Sequence, residues 1–209
     1  MTQQDQLGVP TLKLLAEKQM VAILHGLAEG ARRPAELERS LANAGHSLVM
    51  RRLRHLLERE LVTYERRPGQ PPHARSAPIP HQAHYSLTDA GRMLLEVPLE
   101  ASRWEQRWCA QAERGASAGA VAIKAIADDH TRKIALLLTD GPLCTKELDE
   151  RAADLGRSAL RRRLRDGVST GLLERRRRGR VPTYELTAAA RDLSSVARVA
   201  ARWESLEKF

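Results

Sequence analysis

Residues 47–56 have the sequence SLVMRRLRHL, and residues 158–167 have the similar sequence SALRRRLRDG. A shift of 111 positions aligns these stretches and extends the match on both sides, pairing Ile23 with Ile134, Leu27 with Leu138, Gly30 with Gly141 and Leu61 with Leu172. A shift of 99 continues the match, pairing Tyr85 with Tyr184, Leu87-Thr88 with Leu186-Thr187, and Arg103-Trp104-Glu105 with Arg202-Trp203-Glu204. The sequence therefore predicts one unit used twice, with 12 additional residues in the first copy.

The spacing of apolar residues predicts the helices of one unit. Residues 12–28 carry apolar side chains at helical spacing, and the pattern ends at Gly30, a common C-terminal signal. Pro34 suits the first turn of a short second helix. Ser47 is predicted to cap a third helix that has one apolar side.

A hairpin and a last helix complete the unit. Residues 61–64 and the segment around Tyr85 have the pattern of two short strands. Thr88 is expected to cap a trailing helix that Pro98 bends. Three helices, a two-stranded wing and a trailing helix make a winged helix-turn-helix. The predicted fold class is mainly α with small β-hairpin wings, as tandem winged helix-turn-helix domains.

The repeat predicts the domain boundaries. We expect the first winged-helix domain at 8–113, a linker at 114–119 and the second domain at 120–209, each domain with its trailing helix. No run of apolar residues approaches the roughly 20 of a membrane span, and the first nine residues lack a secretion signal. Two cysteines are too few for a disulfide framework. We therefore expect a soluble, cytoplasmic protein without a membrane partner.

The composition favours a polyanionic partner. The chain has 35 Lys and Arg residues against 26 Asp and Glu, a net charge of +9, and only six of the 35 are lysine. The planar guanidinium suits phosphate and guanine. Aromatic residues make up only 3% of the chain, too few for the stacking surfaces of single-strand binders. Duplex DNA is the favoured partner.

The order of residues along the first unit is typical of a known family. The residues that carry the resemblance are Ile23-Leu24, Leu27, Gly30, Glu36-Leu37, Ser47, Leu53-Arg54, Leu61-Val62, Tyr85-Ser86-Leu87-Thr88-Asp89-Ala90-Gly91-Arg92 and Trp104. In this order they resemble the HxlR-type winged-helix transcriptional regulators of bacteria. The second unit matches more loosely, because Ala190 stands where the family has a glycine and Gly167 replaces a core leucine. The resemblance implies regulators that usually have one unit per chain and pair through their terminal helices.

The third helix of each unit is the candidate reading element. At about 100° per residue, the helix turns its apolar stripe inward and presents polar side chains to base edges. The predicted DNA-binding residues on the outer faces and flanks are Ser47, Arg51, Arg54 and His55 in the first unit, and Ser158, Arg161, Arg162, Arg163 and Arg165 in the second. The alternative is that these exposed arginines are simply solvated.

The wings supply the second set of candidates. Residues 157–180 carry ten arginines against two carboxylates, a net charge of +8, whereas residues 47–67 have a net charge of +3. The predicted wing contacts to DNA are Arg66 and Arg67 in the first unit and Arg175, Arg176, Arg177, Arg178 and Arg180 in the second. We expect the second unit to supply more of the phosphate binding. The alternative is a charge run that only aids solubility.

The additional residues of the first copy lie in its wing, between Arg66 and His84, where five of the ten prolines collect. Such a segment is expected to be extended, and to follow DNA or bind a partner. It also contains His73, His81 and His84, which suggest a metal site. Without cysteine or carboxylate partners at ligand spacing, no metal is expected.

Two motifs suggest other chemistry. Residues 115–119 match the G-x-S-x-G nucleophile elbow, but the preceding residues are predicted to be helical, so a small-residue linker is favoured. Cys109 and Cys144 could act as redox sensors, although a free cysteine is most often simply buried. We expect no catalytic residues, no cofactor and no enzyme activity.

The three tryptophans leave a choice open. Trp104, Trp108 and Trp203 are either packing anchors of the trailing helices or the lining of a small-molecule pocket between the units. The pocket would make a small-molecule effector a further partner.

The leading hypothesis is a sequence-specific regulator of transcription that binds double-stranded DNA. Its two units would act as an intrachain pseudo-dimer on an imperfect palindrome, in a monomer with pseudo-twofold symmetry or in a homodimer. The alternative is a tandem winged-helix module that binds protein, with DNA secondary.

Overall fold

The computed structural model describes residues 9–17, 19–30, 32–41, 44–65, 82–108, 119–178 and 181–207. Within these ranges the fold is mainly helical with two small antiparallel sheets, so the predicted fold class is confirmed. The linker predicted at 114–119 lies outside the described residues, apart from Gly119. Among the helices of the described ranges, none is long and apolar enough to cross a bilayer.

In its described residues, the first unit contains six helices and two strands. Its helices are α1 (Val9–Leu15), α2 (Met20–Ala28), α3 (Pro34–Ser40), α4 (His46–Glu58), α5 (Asp89–Leu94) and α6 (Glu96–Trp108). Its strands are β1 (Val62–Glu65) and β2 (His84–Leu87), which pair antiparallel with Val62 opposite Leu87. Arg32 adds a single bridge to Tyr85 at the side of this hairpin.

The second unit repeats this order. Its helices are α7 (Ala120–Ala127), α8 (Asp129–Leu137), α9 (Thr145–Arg151), α10 (Arg157–Ser169), α11 (Ala188–Asp192) and α12 (Ser194–Glu207), with a 3-10 turn at Ala153–Leu155. Its strands are β3 (Leu143–Cys144), β4 (Leu173–Arg178) and β5 (Val181–Leu186). They form a sheet in the order β3-β5-β4, and β4 and β5 make the wing.

Three local predictions need correction. The helix expected over residues 12–28 is two helices, because Gln19 adopts a left-handed backbone with φ 65° between α1 and α2. Ser47 is not a helix cap, since α4 begins at His46 with Gly45 at the N-cap. Pro98 does not bend a continuous helix: it lies in the first turn of α6, where its missing N–H has no helical partner to lose.

The cap predicted at Thr88 is confirmed. Its side-chain oxygen accepts a hydrogen bond from the Gly91 backbone N–H at 3.1 Å, at the first turn of α5. Thr187, the equivalent residue of the second unit, accepts in the same way from the Ala190 N–H at 3.2 Å. The two copies therefore begin their trailing segments with the same local structure.

Apolar side chains from both units form the contact between them. α1 and α6 of the first unit pack against α7 and α12 of the second. The buried side chains of the first unit form one continuous cluster with those of α7 and α12, which includes Trp104, Ile123 and Val196. A separate cluster around Ile134, Leu148 and Leu164 forms the remaining core of the second unit.

The contact between the units is made of reciprocal pairs. Trp104 donates its indole N–H to the carbonyl oxygen of Ala189 at 2.8 Å, and Trp203 donates to the carbonyl oxygen of Ala90 at 3.1 Å. These residues correspond by the shift of 99. Each unit therefore presents the same donor and the same acceptor to the other.

Two buried glutamates make a second reciprocal pair. Glu105 accepts hydrogen bonds from the backbone N–H groups of Gly119, Val121 and Ala122 at 2.6–3.2 Å, at the start of α7. Glu204 accepts from the backbone N–H and the hydroxyl of Thr11, at 2.8 and 2.6 Å, in α1. A carboxylate at a helix N-terminus satisfies donors that have no partner within the helix. The sequence pattern paired these two glutamates but predicted no role for either.

Candidate nucleic-acid interface

Helix α10 presents a cationic outer face. Its inner side buries Leu160 and Leu164 at four-residue spacing, which fixes the rotation of the helix. The exposed polar side chains of this helix include Ser158, Arg161, Arg162 and Arg165. Four of the residues predicted for the second unit thus share an exposed surface.

A groove joins this helix to the wing. It has a volume of about 780 Å³ and lies between α9, α10 and the two wing strands. Its cations are Lys146, Arg161, Arg165 and Arg175, and no carboxylate lines it among the residues that the structure describes. We define the basic groove as these four residues together with the floor formed by Leu164, Val168 and Tyr184.

Lys146 was missed by the sequence analysis. It lies in the first turn of α9 and is exposed. Its contribution to the basic groove depends on how α9 packs beside α10, which helical periodicity within one segment does not specify. The sequence therefore shows a positive charge before the reading helix, but it does not show that this lysine lines the basic groove.

The wing arginines divide between two faces, because successive side chains of a strand alternate. Arg176 lies on the same face as Glu174, which it contacts at 2.9–3.0 Å, and it also reaches Glu185 at 2.7 Å. Its hydrogen bond holds the pKa of the Glu174 carboxyl below the usual range. Arg175 and Arg177 lie exposed on the opposite face, which Arg175 shares with the basic groove. Arg180 and the Arg178 side chain lie outside the described residues.

Arg163, predicted to contact DNA from the flank of α10, does not face outward. It points back to α8, where its Nη2 contacts Asp128 Oδ2 at 2.6 Å. Arg52 and Glu17, the equivalent residues of the first unit, form the same ion pair. In both units this arginine ties the reading helix to the connection between the first two helices of the unit, which explains its orientation.

The first unit presents a weaker version of the surface. Ser47, Arg51 and Arg54 are exposed along α4, as predicted. His55 is half-buried with its Nδ1 3.2 Å from Glu17, so its predicted outward orientation is wrong. Arg66 and Arg67 lie outside the described residues.

The copies differ in the residues that line the groove. In the first unit, the positions of the four groove cations hold Ala35, Met50, Arg54 and Tyr64. Only Arg54 remains cationic. The charge difference expected from the sequence therefore coincides with a difference in the surface beside the reading helix.

The other candidates give little support to different chemistry. Trp104 is 1% exposed and Trp203 is half-buried, and both indoles hydrogen-bond across the unit boundary. Trp108 is exposed and donates to Asp192 at 2.8 Å. Cys144 is half-buried next to α9. Over the described ranges, no three His, Cys, Asp or Glu residues cluster as a metal site would require.

Several candidates fall outside the described residues. They are Cys109, the glycine-serine motif apart from Gly119, and two of the three wing histidines, His73 and His81. Only His84 of that group is described, in β2, where its Nε2 lies 3.2 Å from the Arg33 guanidinium.

Comparisons with known proteins address the family. A search of curated proteins gave no match. The family model described as HxlR-like helix-turn-helix matches residues 14–113 and again residues 126–208. The two matched segments agree with the repeat and with the two winged-helix units. The chain belongs to the HxlR-like helix-turn-helix family of DNA-binding transcription regulators, as two tandem units in one chain.

Proposed function

We propose that the protein regulates transcription by binding a specific site on double-stranded DNA, with its two units acting as an intrachain pseudo-dimer. The observation that carries this proposal is the reciprocal contact, in which Trp104 and Trp203 donate to equivalent carbonyl oxygens of the opposite units. Reciprocal contacts are the mark of twofold-related subunits. One chain would then present its two reading helices as a dimer does.

The proposed site is an imperfect palindrome. Reading helices related by an approximate twofold enter successive major grooves about 34 Å apart. Arg54 and Arg165 are equivalent, as are Arg51 and Arg162 and the serines at the helix starts, which favours similar half-sites. The half-sites would differ because Met50 stands where the second unit has Arg161.

The two units would divide the work of binding. The basic groove places four cations beside α10, and phosphate neutralisation by such cations dominates affinity. The first unit has one cation at the equivalent positions. The second unit would therefore supply most of the phosphate contacts and the first unit mainly discrimination between sequences.

The test begins with selection of bound sequences from a random duplex pool, followed by fluorescence anisotropy on the selected site. We expect two related half-sites about one helical turn apart, and a steep loss of affinity between low and moderate salt. The double variant Arg162→Ala with Arg165→Ala should lose at least about tenfold in affinity for that site.

The matched control removes the same charge elsewhere. Arg198→Ala with Arg202→Ala takes two exposed arginines from α12, away from the groove, and should leave the specific affinity within about threefold of the unaltered chain. Unchanged affinity in the α10 variant would show that α10 is not a reading helix. No retention on duplex DNA at physiological salt would favour a protein-binding module instead.

A further inference from the structure

The second unit has a cavity that opens to the surface beside its core. It has a volume of about 390 Å³ and lies among α7, α8, α10 and α12, beside the base of the wing. Its walls include Ile126, Ile134, Leu172 and Leu193. Ligand pockets in proteins have volumes of about 300–1,000 Å³ and mostly apolar walls. The size and lining of this cavity fit that description.

The repeat shows what created the cavity. Four lining positions hold smaller side chains than their equivalents in the first unit: Ala125 for Leu14, Thr131 for Met20, Ala135 for Leu24 and Ser194 for Leu95. At Gly167, which replaces Leu56, the Leu173 side chain takes up the space beside the glycine. In the first unit, Leu14, Met20 and Leu24 are all at least 97% buried. The second unit has thus lost the large side chains that fill the same place in the first.

Helix α11, which borders the cavity, has not closed over it. In the first unit, Gly91 approaches the Leu61 carbonyl so closely that a Cβ would overlap its oxygen. Ala190 stands at the equivalent position and lines the cavity, so α11 requires a wider separation from the start of β4. The core of the second unit is accordingly split into two clusters. The apolar wall of this open cavity is left uncovered by protein, and a bound molecule would bury it and so stabilise the fold.

Three arginines, Arg132, Arg163 and Arg191, line the cavity beside its apolar side chains. Arg163 lines the cavity, and its Nε is buried without a hydrogen-bond acceptor among the described residues, while its Nη2 is held by Asp128. A buried guanidinium N–H without an acceptor favours a ligand that brings one. A carboxylate is the acceptor that best matches the guanidinium geometry.

We propose that this cavity binds a small apolar carboxylic acid, with the carboxylate at Arg163 and the apolar body against Ile134, Leu172 and Leu193. Two of the lining residues, Arg163 and Gly167, belong to α10. Binding would therefore change the stability or the position of the reading helix and alter DNA affinity. This last step rests on the proposed function, whereas the binding step does not.

The test uses the full chain, without DNA, and 2-naphthoate and octanoate as probes. We expect each probe to raise the thermal midpoint, and isothermal calorimetry to give one site per chain. The uncharged 2-naphthalenemethanol should bind at least about tenfold more weakly than 2-naphthoate. If neither carboxylate shifts the midpoint or gives heat at millimolar concentration, the proposal is wrong.

Two variants locate the site. Ala125→Leu with Ala135→Leu restores side chains of the first unit and should raise the midpoint of the free protein while abolishing naphthoate binding. Ala188→Leu makes the same chemical change at an exposed position outside the cavity and should bind naphthoate normally. Equal binding by the filled and unaltered proteins would overturn the assignment. If the filled variant does not fold, Arg163→Lys serves instead: its preference for naphthoate over the alcohol should fall, and an unchanged preference would overturn the assignment.

The coupling to DNA is measured separately. Saturating 2-naphthoate should change the anisotropy Kd of the unaltered chain for its selected duplex, and should have no effect on the filled variant. An unchanged Kd with naphthoate bound would overturn the coupling step and leave the binding site intact. A chain that binds naphthoate but no duplex would overturn the proposed function instead.

Discussion

Trp104 of the first unit donates its indole N–H to the carbonyl oxygen of Ala189 in the second unit, at 2.8 Å. Trp203 returns the same bond to Ala90. Both tryptophans belong to trailing helices, and both acceptors lie in the short helix that follows the wing. The wing of each unit is therefore connected, through one short helix, to the trailing helix of the other.

Removing the first of these bonds should destabilise the fold. Trp104 is 1% exposed, and Trp104→Phe deletes the indole N–H that it donates to the Ala189 carbonyl oxygen. The free energy of unfolding should therefore fall by about 1–3 kcal/mol. Trp203→Phe makes the equivalent change at a half-buried residue and should cost less. Urea titrations followed by circular dichroism measure both. A larger loss for Trp203→Phe would contradict the burial argument.

The buried glutamates allow charge and hydrogen bonding to be separated. Glu105→Ala leaves three N–H groups at the start of α7 without their acceptor and should lower the free energy of unfolding by about 2–3 kcal/mol. Glu105→Gln keeps one acceptor oxygen and should lose less than the alanine variant. Urea denaturation of the two variants gives the comparison. Equal losses would mean that the carboxylate charge, rather than the hydrogen bonds, stabilises this helix start.

The sequence predicted the two units because the same apolar spacing occurs twice, and that spacing is set by burial within each unit. It did not predict the orientation of Arg163 or His55. Both lie on the flank of a helix, where about 100° per residue leaves the direction undecided, and each turns toward a carboxylate in the connection between two other helices. The basic groove and the cavity also depend on several elements at once. The replacement of a core leucine by Gly167 was visible in the sequence, but the Leu173 side chain that packs against this glycine was not.

A methyl group at the position of Gly91 and its equivalent Ala190 should destabilise the first copy and slightly stabilise the second. Gly91→Ala places a Cβ against the Leu61 carbonyl oxygen, where backbone must move, and should cost about 3 kcal/mol of unfolding free energy. Ala190→Gly removes the equivalent methyl and should cost only about 1 kcal/mol, mainly through helix propensity. Equilibrium unfolding in urea tests the pair. Similar losses would show that the two copies have the same separation between this helix and the strand before it.

The last prediction concerns the two faces of the second wing. Each cation that contacts a phosphate adds about 0.9 to the magnitude of the negative slope of log K against log salt concentration. Arg175→Ala and Arg177→Ala should each reduce that slope by about this amount, because both side chains are exposed on the face shared with the basic groove. Arg176→Ala should leave the slope nearly unchanged, because Glu174 and Glu185 already engage its guanidinium. Anisotropy titrations between low and moderate salt measure the three slopes on one duplex. All three variants remove one positive charge from the same strand, so an equal reduction in all three would mean that the wing acts through total charge and that its two faces are equivalent toward DNA.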